Sequence, residues 1–190
     1  MKKTLVAAGV VIALGIIWTG GAWYTGKQLE SRLGEMISQA NEQIKRTAPE
    51  ASVELSSQNY HRGLFSSQME LVVKPVEGKE NPWFKPGQTI VLHENIDHGP
   101  FPLAQLKKLN VIPSMASVHS TLVNNEMTKP LFDIAKGQSP FVAETRIAYS
   151  GDTRTDLTLH PLNSEKEGEK VAFSGGEFRI SSDKDGNAVT

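Results

Sequence analysis

The chain opens on residues 4–26, an apolar run with no charged side chain between Lys3 and Lys27. At about 1.5 Å of rise per residue, a helix of that length spans the roughly 30 Å hydrocarbon core of a bilayer. No later stretch is comparable, so the pattern predicts one membrane helix at the extreme N-terminus. Beyond it the period becomes that of an amphipathic helix. Leu29, Leu33, Met36, Ile37, Ala40 and Ile44 recur at three- and four-residue spacing until Pro49 ends the pattern. A helix over residues 27–48 is expected to continue from the span as a stalk. Its apolar stripe has two destinations, the body of its own domain or a second copy in a short coiled coil. About two heptads are marginal for a free-standing coil, which favours the body.

After Pro49 the period changes to two. Val53, Leu55 and Ser57 alternate with polar neighbours, as do Met69, Leu71 and Val73, with Gly63 at the expected turn. Gly63 is assigned to that turn because φ > 0 is easiest for glycine. A Pro-rich excursion over residues 74–87 precedes the alternation of Ile90, Leu92, Glu94 and Ile96. Residues 102–109 and 127–136 read as short helices, with a strand at Ala116, Val118, Ser120 and Leu122 between them. Phe141, Ala143, Thr145, Ile147 and Tyr149 alternate up to Gly151-Asp152, after which Leu157 and Leu159 return. Residues 163–170 read as a charged, solvated loop, and residues 171–173 and 178–180 as a hairpin about Gly175-Gly176.

The expected fold is α+β. A single N-terminal transmembrane helix continues into a stalk helix, followed by a mostly antiparallel, curved β-sheet body with two short helices. The expected organisation is a cytoplasmic tail at 1–3, a signal anchor at 4–26, a periplasmic stalk at 27–48 and a β-rich periplasmic domain at 49–190. Asp185-Gly186 reads as a turn leading into a strand begun by residues 188–190, so the domain is expected to be cut short at its C-terminus.

Flanking residues orient the span. Lys2 and Lys3 stay on the cytoplasmic side under the positive-inside rule, and Trp18, Trp23 and Tyr24 suit the far interface. A cleaved signal peptide, cut near Gly20-Gly21-Ala22, is the competing reading. The run exceeds the roughly 7–15 residues of a usual signal core, and aromatics lie on both sides of that cut, which favours an uncleaved anchor. The expected location is therefore a bacterial inner membrane, single-pass, N-terminus cytoplasmic, body in the periplasm. Gly9 and Ala13 form a small-xxx-small pair that allows close approach of another helix.

Composition narrows the function classes. With 20 Lys+Arg against 21 Asp+Glu, the net charge of −1 excludes a strongly basic nucleic-acid surface. With no cysteine the chain has no acylation site, no disulfide and no thiol chemistry. It has no Gly-x-Ser-x-Gly elbow. His93 and His98 bracket Glu94 and Asp97, but residues five apart on a strand point to opposite faces, so the imidazoles diverge unless the chain turns between them. No catalytic residue, metal or cofactor is assigned, and the protein is read as a non-enzyme. Trp83 and Phe84, between prolines, either form an exposed apolar knob or tuck back onto the body.

Two segments carry a resemblance. Tyr60-His61-Arg62-Gly63-Leu64-Phe65-Ser66-Ser67, followed by His93-Glu94-Asn95-Ile96-Asp97-His98-Gly99-Pro100-Phe101-Pro102 behind an N-terminal anchor, resembles the YdgA-like family of Gram-negative envelope proteins, a domain of unknown function. The resemblance implies an inner-membrane anchor, a β-rich periplasmic body and self-association, and supplies no catalytic residue. Tyr60, Arg62, His93, His98 and Phe101 are the candidates for a shared polar cluster that holds strand ends together or binds a ligand. The interaction candidates are Leu29, Leu33, Met36, Ile37 and Ile44 on the stalk, with Trp83 and Phe84. The expected role is an accessory protein of the envelope, acting through self-association or an integral inner-membrane partner. The alternative is a carrier holding a lipid on the open face of the sheet.

Overall fold

The computed structural model describes residues 27–63, 66–98, 102–166 and 169–183. Helix α1 (Lys27–Thr47) leads through a short 3-10 turn at Pro49–Ala51 into strand β1 (Val53–Arg62). Next come β2 (Ser66–Pro75), β3 (Ile90–His98), helix α2 (Leu103–Lys107), β4 (Ala116–Leu122), helix α3 (Lys129–Ile134), β5 (Phe141–Ile147) and β6 (Thr153–Leu159). A hairpin of β7 (Leu162–Lys166) and β8 (Glu169–Phe173) precedes β9 (Gly176–Ser182). The main sheet has the order β1-β2-β3-β4-β5-β6-β9, every neighbouring pair antiparallel, and β7-β8 forms a separate two-stranded sheet.

Period-two alternation builds one apolar face. In register across the strands, Leu55 stands opposite Val73, Leu71 opposite Leu92, Leu92 opposite Leu122, Ile96 opposite Val118, and Ala116 opposite Ile147. All of these side chains are buried. Helix α1 lays its stripe on this face: Leu33, Ile37, Ala40 and Ile44 join Val53, Leu55, Met69 and Leu71 in one core. Four such aliphatic burials at roughly 1.5–3 kcal/mol each, less for the alanine, make this contact a main source of stability.

The helix also closes one edge of the sheet. Asn41 Nδ2 donates to the Leu55 carbonyl at 2.9 Å, and its Oδ1 accepts the Leu55 N–H at 2.7 Å, so the side chain replaces one residue of a missing strand. Asn81, in the connection between β2 and β3, continues the same service. Its amide donates to the carbonyls of Ala51 and Ser52, and its oxygen accepts the N–H groups of Trp83 and Phe84.

The stripe of the helix over Lys27–Thr47 packs on the body of its own domain, the destination the pattern favours. Three expectations need correction. Residues 163–170 are not wholly a loop, since they fall largely within the β7-β8 hairpin. Gly175-Gly176 does not join a hairpin: β8 pairs with β7, while β9 rejoins the main sheet beside β6, with Leu157 opposite Phe178. Gly175 makes that return possible, at φ +87 with the Leu159 carbonyl only 2.7 Å from where a Cβ would sit. Gly63 needs no positive φ, and a Cβ there would instead press on the Ser66 carbonyl at 3.0 Å.

Among the described residues no helix is long and apolar enough to cross a membrane. The predicted span at 4–26 and the predicted strand start at 188–190 lie outside them.

Replacing Asn41 with alanine leaves the Leu55 N–H and carbonyl without their clamp. Asn41→Ala is expected to lower the free energy of unfolding by about 1–3 kcal/mol, read as a lower urea midpoint at unchanged m-value.

Candidate functional site

A break in strand parity builds the first part of the site. Val53, Leu55 and Ser57 face inward, but the pairing of β1 with β2 slips between Gln58 and His61. Asn59 takes φ 54, and the side-chain amides of Gln58 and Asn59 both donate to Glu70 Oε2, at 2.8 and 2.7 Å. One extra residue in a strand moves every later side chain to the other face. Tyr60 therefore turns inward and joins the core. Its hydroxyl lies 3.2 Å from Ser67 Oγ, which lies 2.9 Å from His98 Nε2, so the Tyr60–Ser67–His98 chain ties β1, β2 and β3 together. Arg62 stands opposite Ser67 and is exposed at the rim. Burial pushes the His98 imidazole below its ordinary range against the pull of Asp97, and the Arg62 charge depresses it further.

Glu94 is the second part. It is fully buried at the middle of the apolar face, between Met69 on β2 and Ser120 on β4. Ser120 Oγ donates to its Oε2 at 2.5 Å, and Oε1 has no hydrogen-bond partner among the described residues. Burial raises its pKa from 4.5 to about 7, only partly opposed by the Ser120 bond. The carboxyl can therefore hold or lose a proton near neutrality inside the sheet, which no surface glutamate does.

Polar groups continue along the face. Thr145 and Thr155 hydroxyls meet at 2.9 Å, and Thr153 meets Ser182 at 2.6 Å. The apolar layer of β1–β4 thus gives way to a mixed region on β5, β6 and β9, where these hydroxyls share the face with Ile147, Leu157, Phe178 and Ile180.

The predicted cluster is partly assembled. Tyr60 and His98 share the inner face through Ser67, with Arg62 at its edge. His93 does not join them: it stands opposite Glu70 and Thr121 on the outer face, because β3 runs unbroken from Ile90 to His98 and the two imidazoles diverge. Phe101 lies outside the described residues. Among the described residues no three His, Asp or Glu side chains are placed to hold a metal. Of the interaction candidates, Leu33, Ile37 and Ile44 are buried in the core against the sheet. Leu29 and Met36 belong to α1, but their side chains lie outside the description. Phe84 is buried and Trp83 packs beside it, so they form no projecting knob.

Ser67, Glu94 and Ser120 are absent from the predicted cluster. The signal for Glu94 was present, since it occupies the inward register of Ile90, Leu92 and Ile96. A carboxylate at an apolar beat of a strand marks either a lost strand or a buried acid.

Comparison across proteins agrees with the resemblance carried by residues 60–67 and 93–102. A family model described as bacterial protein of unknown function, DUF945, matches residues 1–190. The chain belongs to the DUF945 family. It is 63% identical over 190 residues to protein YdgA of Escherichia coli strain K12, covering 100% of this chain and 38% of that one. It is 37% identical over 177 residues to the uncharacterized protein YihF of the same strain, covering 93% and 36%. An uncharacterized protein of Haemophilus influenzae is 29% identical over 191 residues, covering 98% and 50%. The chain thus spans half or less of the length of these relatives. No solved structure matches it.

Glu94 gives this DUF945 chain a testable pH response. Folding raises its proton affinity, so its ionisation opposes the fold. Its penalty is absent below 4.5 and grows as pH rises to and past about 7. At about 1.36 kcal/mol per unit, the full penalty is about 3 kcal/mol. His98 works in the opposite sense, its lowered pKa removing stability as pH falls below 6.5. Glu94→Gln isolates the carboxyl. The variant is expected to gain stability over the parent in urea unfolding at about pH 8, and to show little difference at about pH 5.

Proposed function

We propose that this chain is the tethered portion of an accessory protein of the bacterial envelope, held in the inner membrane by residues 4–26 with its sheet in the periplasm. It acts by binding protein, a second copy or an integral membrane partner, along the β9 side of the sheet. The observation that carries this reading is the inequality of the two edges. On the β1 side, Asn41 occupies the Leu55 backbone and α1 covers the adjoining face. On the other side, among the described residues, β9 pairs with β6 alone, and Phe178 on its inner face is 52% exposed, with Ile180 beside it also uncovered. An open strand edge beside exposed aromatic and aliphatic side chains is a template for strand addition. The uncharged run at 4–26 and the lysines before it support the tether and its orientation.

A carrier of lipid or another apolar ligand is less well served by this geometry. The apolar half of the face is filled by Leu33, Ile37, Ala40 and Ile44, and on the remainder the hydroxyls of Thr145, Thr153, Thr155 and Ser182 interrupt the apolar side chains Leu157, Phe178 and Ile180.

A photo-crosslinking amino acid in place of Phe178 tests the binding reading in intact cells. The expected result is a discrete adduct with a second copy or a membrane protein, lost when Ile180→Asp is added. Uncrosslinked protein alone, or an adduct formed only within one chain, would overturn it. For the tether, a periplasm-active reporter fused after residue 49 is expected to be active, and the purified protein to retain residues 1–26 by intact mass.

A further inference from the structure

The connection between β3 and β4 exposes more apolar side chain than any other segment among the described residues. Within residues 103–112, Leu109 is 88% exposed, Val111 68% and Ile112 55%, with Leu103 and Leu106 also uncovered. At about 25 cal/mol per Å² of apolar area, such a display is unfavourable in water. It is nevertheless held in one shape. Asp97 Oδ2 accepts the Ala104 N–H at 2.7 Å, and Asn110 donates its N–H to the Gln105 carbonyl at 2.9 Å. The buried Gln105 accepts from Ser114 at 3.0 Å, and Ser114 accepts from Arg146 Nε at 2.6 Å, fixing the segment to β5.

Cations surround it. Lys107 forms no ion pair among the described residues. Beside Ile112 runs a shallow groove of about 250 Å³ that includes Lys108, Arg146, Arg154 and Arg179 against Glu144 and Asp156. The two acids are already engaged: Glu144 by His119 at 2.6 Å and Lys108 at 3.8 Å, Asp156 by Arg179 at 2.6 Å. Arg146 bonds only neutral groups, and Arg154 has no ion pair among the described residues. The groove therefore carries uncompensated positive charge next to an aliphatic tip.

The fold also sets the direction in which this tip faces. Asn41 lies beside Leu55 near the start of β1, so the earlier turns of α1 run back toward the end of the sheet where β1 finishes. That is the end where β3 finishes and β4 begins, with His98 opposite Ala116. Residues 103–112 and the first residues of α1, which directly follow the uncharged run at 4–26, thus lie at the same end of the sheet.

We propose that residues 103–112 seat on an anionic phospholipid surface. Leu106, Leu109, Val111 and Ile112 enter the headgroup boundary, and Lys107, Arg146 and Arg154 meet lipid phosphates. Protruding aliphatic side chains rimmed by cations suit an anionic bilayer. A protein partner is more often gripped by aromatic anchors in pockets, and residues 103–112 contain no aromatic. This second contact would set the angle at which the sheet stands on the membrane. It rests on the tether reading for its direction, and the experiment separates the two.

The chain has no native cysteine, so one introduced cysteine carries one environment-sensitive fluorophore. The chain of residues 1–190 bearing Leu109→Cys is reconstituted into vesicles of phosphatidylcholine with about one-third phosphatidylglycerol, and into phosphatidylcholine alone. Flotation reads the tether, and quenching by shallow spin-labelled lipid reads the tip. The expected result is about a twofold loss of fluorescence at residue 109 in the anionic vesicles and far less in the neutral ones. A label at Lys79→Cys, in the connection at the other end of β3, is expected to stay bright. Adding Arg154→Glu is expected to abolish the difference between the two lipids. A label at Val111→Cys repeats the measurement should the first variant misfold. Protein that floats with residue 109 no more quenched than residue 79 overturns the seating and leaves the tether standing. Quenching that is equal in both vesicles overturns the anionic preference, and protein that fails to float overturns both readings.

Discussion

The structure depends on covering one face of one sheet. Strands that alternate apolar and polar side chains have an inner face that water cannot be allowed to wet, and an antiparallel meander supplies no helices of its own to cover it. Here the cover is α1, delivered by the short turn at Pro49–Ala51 directly onto β1. The helix does two things at once. Its aliphatic stripe completes the core, and Asn41 satisfies the Leu55 backbone at the edge where another strand would otherwise dock. Stability and protection of that edge are therefore the same contact. Freeing the helix for another partner would expose the core and open the edge together.

Where the helix does not reach, the face changes character. Ala143, Thr145, Thr153 and Thr155 replace large aliphatics of the first strands, with the Thr145 hydroxyl meeting that of Thr155 and the Thr153 hydroxyl that of Ser182. Glu94 stands at the boundary, its neighbour Ser120 answering one oxygen and nothing described answering the other. Burial of a carboxyl with half its hydrogen bonds is tolerated because the group can take a proton, at a pKa of about 7. The Tyr60–Ser67–His98 chain at the strand ends is different: each group has a partner, and it joins three strands. The two polar features share a face but not a task.

The functional readings follow from the surfaces this packing leaves uncovered. Among the described residues, the blocked β1 edge and the uncovered β9 edge make the sheet one-sided in the plane, and the aliphatic tip with its cationic groove makes it one-ended along the strands. In the proposed reading, a tethered body with a lateral protein surface and a membrane-facing end has a defined orientation, which suits an accessory role in an envelope. The DUF945 relatives are two to nearly three times as long as the part of them this chain matches, and such an orientation would govern how a longer chain is presented.

Much of this was legible in the residues. The period-3.6 stripe from Leu33 to Ile44 and the period-two runs of β1 to β6 named their elements because side-chain geometry on a helix or strand is local. The divergence of His93 and His98 followed from the same parity. The segments from Tyr60 to Ser67 and from His93 to Pro102 identified the family. Other features needed the third dimension. An extra residue in β1 reversed the facing of Tyr60, and no local pattern announces where pairing slips. Gly175 looked like a hairpin turn, but its φ and the nearby Leu159 carbonyl return the chain to a strand far back in sequence. Glu94 was visible as an acid on an apolar beat, yet only the register that places Met69 and Ser120 on either side makes it a buried proton site. Outside the β7-β8 hairpin, the sequence by itself determined which segments are helix and strand and which faces are apolar, because those depend on spacing along the chain. The tertiary structure decided which edge is closed, which acid is desolvated and which apolar side chains are left over, because each depends on what the rest of the molecule brings alongside.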